Sequence, residues 1–202
     1  MRTSQYKGAF KLFKRYWAAY GGLKAIALSP YFHLSLLITV ISHGSWVNPN
    51  WVDIPISVLP NVIGFSLGGY AIWLALGDEK FRYTISGKSK DGSDSPFIKV
   101  NATFVHFIIL QITSLLFALI VKSKPLYNSP LDWQHLVLSI APWLYDFSNI
   151  AHIVASFVGY LLFIYAILSA LAATMAIFRI AGWLEVYHIK QKQQEERNKQ
   201  IK

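Results

Sequence analysis

The stretch Gly64-Phe65-Ser66-Leu67-Gly68-Gly69 carries the G-x-S-x-G pattern, in which a serine at a strained strand-to-helix turn acts as an acyl-transfer nucleophile. That chemistry needs a strand before the serine, a helix after it, a parallel sheet around both and a histidine within reach. An apolar run does precede Ser66, and His106 and His152 are the candidate bases. The run belongs to a long apolar segment expected to be helical, which leaves no sheet to build the turn. An intramembrane serine hydrolase is therefore the weakest reading.

Gly87-Lys88-Ser89 ends like a phosphate-binding loop, but Arg82 stands where the first glycine of that loop belongs. The histidines (His33, His43, His106, His135, His152, His188) show no ligand spacing. With no cysteine in the chain, disulfides, thiolate metal sites, iron–sulfur clusters and thiol catalysis are excluded. No catalytic residue, metal or cofactor is expected, and the chain reads as a non-enzyme. Gln111, Thr113 and Ser114 can line a pore or bond neighbouring helices. No Asp, Glu, Lys or Arg lies at the centre of any apolar segment, which counts against a pump or carrier.

The elements that would hold these residues follow from composition. Of 202 residues, 54% are hydrophobic and only 14% charged, against about 25% charged in a soluble domain. Mean hydropathy is +0.38. The chain is long enough for one compact unit. The expected fold is all-α, with four membrane spans near 30–46, 54–77, 100–121 and 150–178 making a membrane domain over 29–178. Ser29-Pro30 is a helix start, with serine as N-cap and proline at the first helical position. Pro60 is expected to kink the second span. The fourth apolar stretch, at about 1.5 Å per residue, exceeds a hydrocarbon core of about 30 Å and must tilt or protrude.

Basic residues set direction. Seventeen lie in the segment 1–28, the loop 78–99 and the tail 179–202, against two, Lys122 and Lys124, in the other connections. The positive-inside rule reads this as a multi-pass protein of the plasma membrane with both ends in the cytoplasm. Trp46, Trp51, Trp133 and Trp143 on the outer side, and Trp17, Trp73 and Trp183 towards the inner, are placed as interfacial belts would be.

Within the cytoplasmic segment 1–28, residues 4–19 read as an amphipathic helix. Tyr6, Phe10, Phe13 and Trp17 share one face, flanked by Lys7, Lys11 and Lys14. Such a helix lies on an anionic leaflet, making the lipid bilayer a direct partner. The loop ISGKSKDGSDSP is flexible on composition, and 123–148 reads as a short outer cap. The tail 179–202 is expected to prolong the last span as a cytoplasmic helix. Gly64, Gly68, Ala71 and Ala75 form one small-residue strip, and Ala151, Ala155 and Gly159 another. Both are expected at helix–helix contacts within or between subunits. Lys80, Arg82, Lys88, Lys90, Arg179, Lys190, Lys192 and Arg197 are the expected partner-binding residues of the cytoplasmic face.

The four spans, the basic inner face and the stretch Leu59-Pro60-Asn61-Val62-Ile63-Gly64-Phe65-Ser66-Leu67-Gly68-Gly69-Tyr70-Ala71, followed by Gly77-Asp78-Glu79-Lys80-Phe81, resemble the membrane subunit of the Kiwa anti-phage defence system. The resemblance covers topology and length throughout, with a local signature around the second span alone. It implies a homo-oligomeric, tetrameric sensor in the bacterial inner membrane. Such a sensor would control a soluble cytoplasmic effector and bind no nucleic acid itself. A small ion channel is the alternative.

Overall fold

The computed structural model describes residues 2–87, 92–123 and 143–200, and the side chains of 5–87, 92–123 and 150–200. The described chain is helical, with no strand among the described residues: α1 (Arg2–Tyr20), α2 (Gly22–Ala27), α3 (Pro30–Ile41), α4 (His43–Trp46), α5 (Asp53–Ala75), α6 (Glu79–Ile85), α7 (Pro96–Lys122) and α8 (Trp143–Gln200). Lys88, Lys90, Trp133 and most of the expected cap at 123–148 lie outside the described residues, as does the side chain of Trp143.

Three helices, α5, α7 and α8, are long and apolar enough to cross a membrane, which marks the chain as a membrane protein. Their limits follow the apolar runs. Helix α8 continues through Gly182 without a break, so apolar span and charged tail form one helix of 58 residues, roughly 87 Å long. The first expected span differs. It is split at Ser42, where the backbone leaves helical geometry (φ −83°, ψ 24°). Its longer piece, α3, has 12 residues and is about 18 Å long, short of the roughly 30 Å of a hydrocarbon core.

The helices divide into two compact units, and α5, α7 and α8 each contribute to both. One unit comprises Met1–Ile26, Phe65–Phe107 and Ala170–Lys202. Its core includes Trp73, Phe81, Phe104 and Ile180. Gly21, with φ at +104°, ends α1 and donates its N–H to the Trp17 and Ala18 carbonyls. Asp78 caps α6, its carboxylate accepting from the Phe81 N–H at 2.7 Å.

The other unit comprises Ala27–Gly64 and Ile108–Ser169, with Leu59, Trp51, Tyr160, Phe163 and Ala166 in its core. Lipid is as apolar as leucine, so helices in a membrane are held by packing and hydrogen bonds rather than by escape from water. Gly159 shows the packing: a Cβ there would collide with the Trp51 ring and lie 2.5 Å from Phe117. Buried hydroxyls bond back along their own helix, Ser35 to the Phe32 carbonyl at 2.7 Å and Thr39 to the Ser35 carbonyl at 2.8 Å. Asp53 meets Lys122 at 3.0 Å, tying the start of α5 to the end of α7.

Trp46, Trp51 and Trp73 do not form the expected surface belts. Each is buried, with exposures of 8%, 2% and 2%. A buried indole N–H needs a partner. Trp46 donates to the Thr39 carbonyl at 2.9 Å, Trp51 to the Ser156 hydroxyl at 3.2 Å and Trp73 to the Asn101 side-chain oxygen at 3.3 Å.

Candidate functional site

Two kinds of polar site emerge: buried joints between helices, and an open groove beside the α8 tail. Asn101 on α7 is one joint. Its oxygen accepts from Tyr70 at 3.1 Å and Trp73 at 3.3 Å, both on α5, while its amide donates to the Phe97 carbonyl at 2.8 Å. His106 is a second. Its Nδ1 lies 2.8 Å from the Tyr16 hydroxyl, and the Tyr20 ring stacks on the imidazole at 3.7 Å and 17°. These contacts dock the C-terminal end of α1 onto α7. Gln111 is a third. Its amide donates to the Ser169 hydroxyl at 3.0 Å, binding α7 to α8. Of the two roles open to Gln111 from sequence, it fills the interhelical one. Thr113 is exposed on the helix surface.

Residues 64–69 lie within continuous α5, so Ser66 stands on a helix and not at a strand-to-helix turn. Ser66 is buried. His106, the nearer candidate base in sequence, is engaged by Tyr16 and Tyr20.

The small-residue strips divide. Gly64 and Gly68 face open space, and Ala71 and Ala75 are exposed. On α5 it is the neighbouring Gly69 that admits a close approach, 3.2 Å from Ile177 and 3.7 Å from Phe104. On α8, Gly159 is buried at its contact, Ala155 is half-buried and Ala151 is exposed. Contact within the protomer is thus realised at Gly159 and not at Gly64 or Gly68.

On α1, Tyr6, Phe10 and Phe13 are exposed at 79%, 70% and 51%, with Lys7, Lys11 and Lys14 also exposed, while Trp17 is half-buried. The apolar face expected to be continuous is therefore split. Its N-terminal part is open and its C-terminal end belongs to the His106 joint, where Phe13 and Trp17 stack at 6.3 Å.

The partner-binding residues expected from sequence cluster in part. Phe81 is 1% exposed and meets Tyr187 of α8 edge-on at 5.4 Å, which brings α6 onto the helical tail. Partial desolvation first, and the Asp78 carboxylate second, push the Tyr187 phenol above its ordinary pKa. Lys80 and Arg82 on α6, and Arg179, Lys190 and Arg197 on α8, are exposed. Among the described residues none of them pairs with a carboxylate. Lys192 lines a groove of about 460 Å³ with Leu76, Leu184, Glu185, His188 and Ile189. The sequence marks the cations but neither the groove nor the Phe81–Tyr187 joint. The buried aromatic one turn after a capping aspartate was its only visible sign.

No family model matches the chain, and neither a curated protein nor a solved structure matches it.

Proposed function

We propose that this protein is the membrane subunit of an anti-phage defence pair. In this reading it is a homo-oligomeric sensor and scaffold in the bacterial inner membrane, a tetramer by its Kiwa resemblance, that recruits and regulates a soluble cytoplasmic effector. It crosses the bilayer four times, with both ends in the cytoplasm.

The observation that carries this reading is the groove on the α8 tail. It is lined by Leu76, Leu184 and Ile189, with Glu185, His188 and Lys192 as its polar members. A groove with an apolar lining and a few charged groups of both signs suits a protein ligand: the apolar part supplies binding and the charges supply orientation. One unbroken α8 links that groove to the membrane span.

Two further observations support the topology and assembly. Basic residues concentrate in 1–28, 78–99 and 179–202, which puts these three segments on one side of the membrane in this reading. In this reading α3 with α4 makes the crossing before α5. The open strip Gly64, Gly68, Ala71 and Ala75 offers a close-packing face to a second copy.

Co-expression with the product of the adjacent gene tests the reading. The soluble partner is expected to co-purify in detergent and to be lost on deletion of 190–202 or in Leu184→Glu/Ile189→Glu. Retention in both variants would overturn the role of the groove. Ion currents from the purified protein alone would make the channel the primary reading.

A further inference from the structure

A second groove, of about 650 Å³, lies in the unit formed by Met1–Ile26, Phe65–Phe107 and Ala170–Lys202. The end of α1 (Ala18–Gly21), the start of α7 with the residues before it, and Arg179 of α8 form its walls. We propose that this groove binds the headgroup of an anionic glycerophospholipid, taking its singly charged phosphodiester on Lys99 and Arg179. The proposal rests on the reading that α7 and α8 cross the membrane.

The first argument is charge. Lys99 and Arg179 are exposed, line one groove and pair with no carboxylate among the described residues. Among the described residues the Lys99 ammonium donates to the Ser93 hydroxyl at 3.4 Å, and Arg179 lies over the Trp183 ring at 5.5 Å. Both cations are thus held near the groove while their charge stays available. Arginine presents a fork that matches two phosphate oxygens, and lysine adds a point charge. Asp94 lines the same groove. It leaves a net single positive charge, which suits a phosphodiester with one negative charge better than a dianionic monoester. The Asp94 carboxylate also accepts hydrogen bonds, so it complements a headgroup that carries hydroxyls.

The second argument is depth. Lys99 is the fourth residue of α7, at the end of its apolar run. Arg179 directly follows Phe178, where the apolar run of α8 ends. Both cations therefore stand where hydrocarbon gives way to headgroups, the level at which lipid phosphates lie. Trp183, half-buried, and the exposed Phe178 flank Arg179 as aromatic groups flank a membrane interface. A soluble anion would have no reason to prefer this level, whereas a lipid phosphate is confined to it.

The test is native mass spectrometry of the full-length protein released from nanodiscs of defined composition. Phosphatidylglycerol is expected to be retained and phosphatidylcholine not. Lys99→Gln/Arg179→Gln should cut phosphatidylglycerol retention about tenfold, since each surface cation contributes a severalfold factor to anionic-lipid binding. Lys99→Arg/Arg179→Lys should restore it. Lys24→Gln/Lys199→Gln, which removes equal charge at exposed positions outside the groove, should leave retention within about twofold. Unchanged retention in Lys99→Gln/Arg179→Gln overturns the proposal. So does an equal loss in Lys24→Gln/Lys199→Gln, which would make the attraction general surface charge. Displacement by millimolar inorganic phosphate would assign the groove to a free anion and also overturn it. Failure to enter the nanodisc at all would instead overturn the membrane reading. A matched melting temperature across variants excludes misfolding as the cause of any loss.

Discussion

The two compact units use close packing and side-chain joints to different degrees. In the unit of Ala27–Gly64 and Ile108–Ser169, helices meet at backbone distance: Gly159 leaves no room for a Cβ, and Trp51 and Phe117 fill the space around it. In the unit of Met1–Ile26, Phe65–Phe107 and Ala170–Lys202, side-chain joints link the elements: Asn101 to α5, His106 to α1 and Phe81 to the α8 tail. Both grooves lie in this second unit. Close packing gives a frame that cannot adjust without loss. Joints of one or two side chains can be remade at small cost, which suits surfaces that must accept ligands.

The largest expected effect tests the frame. Gly159→Leu should destabilise by about 3 kcal/mol or more, because two rings must move to admit the side chain. It should appear as a drop of several degrees in melting temperature in detergent. Gly68→Leu, facing open space, should leave the melting temperature unchanged and, on the proposed assembly, shift the protein to monomer, as read by size-exclusion chromatography with light scattering. If both variants melt alike, the difference between the units is not one of packing.

Next is Phe81→Ala. Loss of a fully buried aromatic costs about 3 kcal/mol, here confined to α6 and the tail. Faster hydrogen exchange over 79–85 with little change in 53–63 would confirm that the joint is local. Uniform acceleration would contradict it. His106→Ala should cost about 1–2 kcal/mol through the Tyr16 hydrogen bond and the Tyr20 stack. It should free α1 for proteolysis between Lys7 and Lys14 while the rest resists.

The smallest effect is a pH response. The folded-state pKa of Tyr187 is raised, so its contribution is complete below the ordinary phenol pKa of about 10 and is lost as pH climbs through the raised value. A phenolate absorbance titration should show one tyrosine ionising later than the rest, and Asp78→Asn should bring it partly back. Coincident ionisation of all tyrosines would remove the joint's electrostatic component.

What was legible in the sequence tracks the physics of each signal. Long apolar runs gave α5 and α7 to within four residues and placed the fourth apolar stretch inside α8, because lipid and helix length impose them together. Ser42 did not announce a break: serine is tolerated in helices, and the split depends on Trp46 folding back to the Thr39 carbonyl. Spacing identified Gly64, Gly68 and Gly159 as packing residues. It cannot tell which face meets a helix of the same chain, since small residues serve both contacts alike. The interfacial tryptophan rule failed for Trp46, Trp51 and Trp73 because each has a polar acceptor on a neighbouring turn or helix. The grooves needed the tertiary structure, as their walls come from segments about 80 to 160 residues apart.

The account turns on α1 lying on the same side of the membrane as the loop at α6 and the α8 tail, which requires a crossing by α3 and α4. The chain has no cysteine, so single-cysteine labelling reads the topology without background. In intact spheroplasts treated with a membrane-impermeant maleimide, Asn48→Cys should label, whereas Gly8→Cys and Tyr83→Cys should label only after permeabilisation. Labelling of both Gly8→Cys and Asn48→Cys in intact cells would mean three crossings and an outward N-terminus, and would contradict the account.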